Sequence, residues 1–131
     1  MIKSKQDLKN YITQDAARLG GKPKLKDLIL HNEKWFIYKY IVALRHVEYY
    51  INGLGGGKKN PIFLLWWYRY KHLGFKLRCT VYPNTCDAGL AIFHTGDFIW
   101  IKGSVKVGKN CTLRPGVVIG QKHTGEKPQP V

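Results

Sequence analysis

The sequence predicts an α+β fold, a helical N-terminal region followed by a short parallel β-helix that is incomplete on its C-terminal side. Three observations predict it. Aliphatic residues recur every six positions at Ile101, Val107, Leu113 and Ile119, and the small or β-branched Val105, Cys111 and Val117 follow the first three by four places. Upstream, apolar residues recur at helical spacing between capping and stopping residues. Between the two patterns lie turn residues, Pro83-Asn84, Asp87 and Gly89.

A period of six suits a coil of short strands. Side chains alternate between the faces of a strand, so each six-residue unit can send one aliphatic inward and then turn a corner. Successive coils then stack at about 4.8 Å, the ordinary interstrand spacing. Glycine and Asn suit corners that need positive φ, and Gly108 and Gly120 each follow an aliphatic of the series. The competing reading, two β-hairpins, needs this spacing to arise by chance.

Residues 1–78 read as helical and 79–131 as the β-helix. Ser4 and Asp7 form a capping box, after which Leu8, Ile12, Ala16 and Leu19 share a face until Gly20-Gly21. A second helix starts after Asn32, with Trp35, Tyr38 or Lys39, Val42, Leu44, Val47 and Ile51 as its stripe; Gly53 and Gly55 to Gly57 end it. The third is capped by Asn60, with Pro61 at its first position. It carries Phe63, Leu64, Trp67 and Tyr70 and is expected to stop near Gly74. The last coil is barely complete and GEKPQPV is no cap, so a chain cut short is expected, or else a last coil covered by a partner or by the helical region.

Composition narrows the function. Of 131 residues, 44% are hydrophobic, which supports a core. The N-terminal stretch is polar, unlike a secretory signal. The run Pro61 to Tyr68 falls far short of the roughly 20 residues of a membrane span. Cys79, Cys86 and Cys111 are odd in number and widely spaced, as in a reduced, cytoplasmic protein. The net charge of +14 points to an anionic partner. Between Tyr49 and Cys86 there is no acidic residue, while Lys58, Lys59, Arg69, Lys71, Lys76 and Arg78 interleave with Trp66, Trp67, Tyr68 and Tyr70. That stretch reads as a packing helix with solvated lysines, as a peripheral contact with a membrane's inner face, or, less favoured, as a nucleic-acid platform.

From Val81 to Gly120 the chain resembles the serine acetyltransferase branch of the hexapeptide-repeat acyltransferases, in the compact form found in polysaccharide synthesis. The resemblance rests on Val81-Tyr82-Pro83, the corner Asp87-Ala88-Gly89, and Phe93-His94-Thr95-Gly96 ahead of the hexapeptides. It covers about 50 residues well and the helical part in layout only. It implies a left-handed β-helix, a homotrimer with active sites between the β-helices of neighbouring subunits, acetyl-CoA as donor, no metal, and a hydroxyl of serine or a sugar as acceptor. It also implies His94 as general base. Imidazole suits that role because its ordinary pKa, about 6.5, lies near working pH; the bland alternative is a histidine filling a corner.

The departures matter too. The carboxylate that orients the family's histidine is replaced by Thr80, and the Asp before the histidine by Phe93. The family's second substrate histidine falls near Gln129, with His123 as a substitute. Asp97 lies in a one-residue insertion and is either a substrate contact or a solvated turn residue. Lys109 and Arg114, with Lys102 and Lys106, are candidates for the phosphates of coenzyme A, or solvated edge residues. These losses weaken serine as acceptor and leave acetyl transfer to a hydroxyl intact. HTGEKP from His123 to Pro128 spells a zinc-finger linker, but no closely paired cysteines precede it. The rival readings are a basic aromatic binding module and an inactive fragment.

Overall fold

The computed structural model describes residues 1–94, 98–103 and 105–119. It is an α+β structure: α1 (Lys5–Arg18), α2 (Leu25–Ile29), α3 (Glu33–Ile51), a 3₁₀ segment (Leu54–Lys59), α4 (Pro61–Leu77), then β1 (Cys79–Val81), β2 (Ala91–Ile92), β3 (Ile99–Ile101), β4 (Thr112–Leu113) and β5 (Val118–Ile119).

Local chemistry sets the helix ends. Ser4 Oγ accepts from the Asp7 N–H at 3.0 Å. The Asp7 carboxylate reaches past the cap to the Lys3 N–H, so the expected reciprocal box is only half formed. Asn60 Oδ1 accepts from the Ile62 N–H, and Pro61 needs no partner in the first turn. α4 runs beyond Gly74 to Leu77 instead of stopping there. Gly74 is a packing glycine: a Cβ would sit 2.9 Å from the Cys79 carbonyl oxygen. Phe63, Tyr70 and Leu77 face inward from α4, whereas Leu64, expected on that stripe, points out. α2 escaped the sequence reading; it is one turn long and buries no residue.

All strand pairings among the described residues are parallel. β1, β3 and β5 form one ladder in the order β1-β3-β5, and β2 pairs with β4. A bridge joins Cys86 to Val107. Each residue therefore lies beside one about 20 positions further along, a full turn of three short segments. Ile101, Val107 and Leu113 are buried, as is Val105, while Ile119, Cys111 and Val117 are partly covered. Left-handed backbone in this run falls at Asn110, with φ 57°, and at Gly116, with φ 87°, and not at Gly108. Gly120 lies outside the described residues.

Helices and strands share one core, in which Ile37, Tyr40, Ile41, Leu44 and Val47 of α3 belong to the same cluster as Val81, Leu90, Ile92 and Ile99. The helices also satisfy the backbone of the first turn. On β1, Val81 donates its N–H to Tyr40 Oη at 2.9 Å, and its carbonyl accepts from Tyr70 Oη at 2.5 Å. An edge strand with open polar groups is a liability, and covering it with a helix is one remedy.

Gly89 shows how tightly the turns stack. Its φ is +84°, and a Cβ there would fall 2.1 Å from Asn110 Oδ1 and 3.2 Å from Asn110 Cα. Gly89→Ala is expected to cost about 1–3 kcal/mol from backbone strain alone. Thermal unfolding measures this, and an unshifted midpoint would contradict it.

Candidate functional site

β2 ends at Ile92 and delivers Phe93 and His94 to the surface. One turn further along, β4 ends at Leu113 and delivers Arg114 and Pro115. Because β2 and β4 are in parallel register, with Ile92 beside Leu113, these pairs of residues meet. Phe93, His94, Leu113, Arg114 and Pro115 line a cleft of about 280 Å³. The His94 side chain is 78% exposed, so the imidazole stands free of the interior column.

A carboxylate also lies near it. Glu33, in the first turn of α3, places Oε2 3.9 Å from His94 Nδ1, within ion-pair reach but beyond hydrogen-bond distance. The sequence offered no sign of this pairing. Glu33 lies in the first turn of α3, where an acid complements the helix dipole, and Thr80 stands where the resemblance implies a partner carboxylate. Thr80 is half-buried on β1.

The other candidates do not all converge. Arg114 shares the His94 cleft. Lys109 is exposed and close enough to Asp87 to act on its ionisation, on a different part of the coil. Lys102 is half-buried, and Lys106 donates from Nζ to the Asn84 carbonyl at 3.0 Å. Asp97 and His123 lie outside the described residues.

A second cleft, of about 510 Å³, lies between the helices and the first turn; Tyr11, Glu48, Asn84, Asp87 and Lys106 are among its walls. Under it runs a buried polar network. Arg45 donates from Nε to Asp15 Oδ2 at 2.7 Å, and from Nη1 to Glu48 Oε1 at 3.0 Å and the Cys86 carbonyl at 2.8 Å. Its Nη2 reaches the Asp87 carbonyl at 2.9 Å. Asp15 Oδ1 accepts from the N–H groups of Gly89 and Leu90, and Glu48 Oε2 from that of Asn84. Arg45, Asp15 and Glu48 are almost fully buried. With so many partners on turn backbone, this cluster positions the chain leading to His94.

Asp87 extends the network outward. Its Oδ1 accepts from Tyr11 Oη at 2.7 Å and from the Ala88 N–H at 3.0 Å. Burial works against its ionisation, but the Tyr11 hydroxyl, the Ala88 N–H, the N-terminal ammonium and Lys109 together hold its carboxyl below the usual 3.8. A lowered carboxyl stabilises the fold above its unfolded pKa, and this contribution fades as pH falls through the folded value. Asp87→Asn should therefore flatten the acid limb of a stability-versus-pH curve, measured by denaturant midpoints between neutral and acid pH. An acid limb identical to wild type would contradict it.

Cys79 and Cys86 belong to the interior, while Cys111 is partly covered. Burial pushes the Cys79 and Cys86 thiols up to about 12, so neither is a ready nucleophile. No family model, curated protein or solved structure matches the chain.

Proposed function

We propose that the protein is an acetyl-CoA-dependent O-acetyltransferase in which His94 is the general base, working on the wall of a left-handed β-helix. The observation that carries this reading is the cleft itself: an exposed imidazole and a guanidinium delivered by successive parallel turns to one concave site. In the proposed step His94 takes the proton of an acceptor hydroxyl as its oxygen attacks the thioester carbonyl. The carbon–sulfur bond breaks, the acetyl group moves to the acceptor oxygen, and the proton passes from His94 to the departing thiolate. Arg114 is suited to a phosphate of coenzyme A.

The parallel pairings and the inward aliphatic series support a β-helix, and the resemblance supplies its left hand. A homotrimer fits the open cleft, for which a second copy would supply the missing wall. Tyr82, Phe93, Phe98 and Val118 on the strand turns are exposed apolar side chains that such an interface would cover. A sugar hydroxyl is the favoured acceptor, because the side chains expected to hold serine are replaced.

The test is release of free thiol from acetyl-CoA in the presence of serine and then of a panel of sugars, with the oligomeric state measured alongside. Release stimulated by a hydroxyl compound supports the reading; release that none of them stimulates removes it. Within the same reading Glu33 orients His94 from the Nδ1 side and leaves Nε2 as the base. An exposed pair of this kind is worth about 0.2–1 kcal/mol, so Glu33→Gln should lower kcat by about 1.4- to fivefold with KM for acetyl-CoA unchanged. A variant that changes KM alone would assign Glu33 to binding instead.

A further inference from the structure

We propose that the outward face of α4 docks on an anionic lipid membrane, with the helix lying in the plane of the headgroups. Leu64, Leu65, Tyr68, His72 and Phe75 follow one another along one side of the helix, the steps from Leu65 onward being of three and four residues. They are not packed away: Leu64 is 64% exposed, Leu65 67%, Tyr68 66% and Phe75 82%. The opposite side, with Phe63, Tyr70, Gly74 and Leu77, fills the core, so α4 is anchored and still presents an apolar stripe.

Charge selects the occupant. Helical geometry sets Arg69 and Lys76 along one flank of the stripe and Lys71 along the other, with Lys58 and Lys59 just before the helix and Arg78 just after it. With no acidic residue between Tyr49 and Cys86, two copies of this face would oppose like charges, whereas an anionic headgroup layer complements them. Aromatic bodies support the cations, with Lys71 Nζ 5.0 Å from the Trp67 ring centre and the Arg69 guanidinium 5.4 Å from that of Trp66. An apolar stripe between basic flanks is the pattern of a helix that lies on a membrane. Among the described residues no helix is long and apolar enough to cross one.

The experiment is co-sedimentation with vesicles of phosphatidylcholine alone and of phosphatidylcholine mixed with phosphatidylserine, at low and high salt. Two variants accompany wild type, Leu65→Ser with Phe75→Ser, and Lys58→Gln with Lys59→Gln and Lys71→Gln, each checked for an unchanged circular dichroism spectrum. Binding to the anionic vesicles that weakens with salt and drops roughly tenfold or more in each variant is expected. Equal binding to neutral vesicles, no binding to anionic ones, or a variant that binds like wild type would overturn the proposal. A structureless RNA that binds while vesicles do not would also overturn it, and would make the face a nucleic-acid platform. None of these readouts depends on acetyl transfer.

Discussion

His94→Ala is expected to lower kcat for acetyl transfer by about 10²–10⁴, the usual contribution of a positioned acid–base group. The fold should not register the change. The side chain is 78% exposed, its ionic neighbour Glu33 is also open to solvent, and the interior column beneath it is closed by Ile92 and Leu113. Thermal midpoint and circular dichroism should match wild type while CoA release collapses. Acceptor binding should survive, because a base acts on the bound hydroxyl and not on its capture. His94→Gln is the sharper variant, since it keeps a polar side chain of similar reach without a basic nitrogen. A folded His94→Gln protein that turns over at the wild-type rate would end the acetyltransferase reading. An equally stable but inactive variant would separate it from a histidine that merely fills a corner, because a corner residue changes stability before it changes rate.

The parts of the fold that were legible in the sequence are those written in local spacing. Ile101, Val107 and Leu113 announced an inward column because burial repeats with the coil. Asn60 and Pro61 marked a helix start because capping depends only on neighbours in the chain, whereas Asn32 stands at the start of α3 with its amide turned back to Asp27. Gly74 misled because glycine reads as a stop, when here it makes room for the Cys79 carbonyl. Leu64 misled because helical spacing cannot tell an inward stripe from an outward one when both sides are apolar. The candidate site was legible only in part. His94 stood out by its flanks, but Glu33 and Arg114 come to it through parallel register and the docking of α3, which no window of sequence contains. The same limit hid the Asp15–Arg45–Glu48 cluster. Charged residues on amphipathic helices read as solvated, and only assembly of α1, α3 and the first turn buries them.

That cluster carries the largest expected stability effect. Arg45→Met should destabilise the fold by about 3–5 kcal/mol, because it strands two buried carboxylates. Against a total of about 5–15 kcal/mol for a domain, this lowers the thermal midpoint by about 10 °C or more. The carbonyls of Cys86 and Asp87 lose their donor in the same stroke, so the turn that leads to Gly89 and β2 should loosen first. Burial already pushes the Glu48 carboxyl upward, with Arg45 opposing it. A raised carboxyl favours the fold below its unfolded pKa and ceases to do so as pH rises through the folded value. Without Arg45 that opposition disappears, so the variant should lose most stability at neutral and alkaline pH and recover part of it in mild acid. Arg45→Met combined with Asp15→Asn and Glu48→Gln should be more stable than Arg45→Met alone. Those changes remove the stranded charges, while the two introduced amides still offer carbonyl oxygens to the N–H groups of Gly89, Leu90 and Asn84. Denaturant unfolding of wild type, the single variant and the triple variant across pH would decide it. Arg45→Met within about 1 kcal/mol of wild type, well under the cost of an unpaired buried charge, or a triple variant weaker than the single one, would mean the charges are hydrated in solution and the turn is held by packing alone.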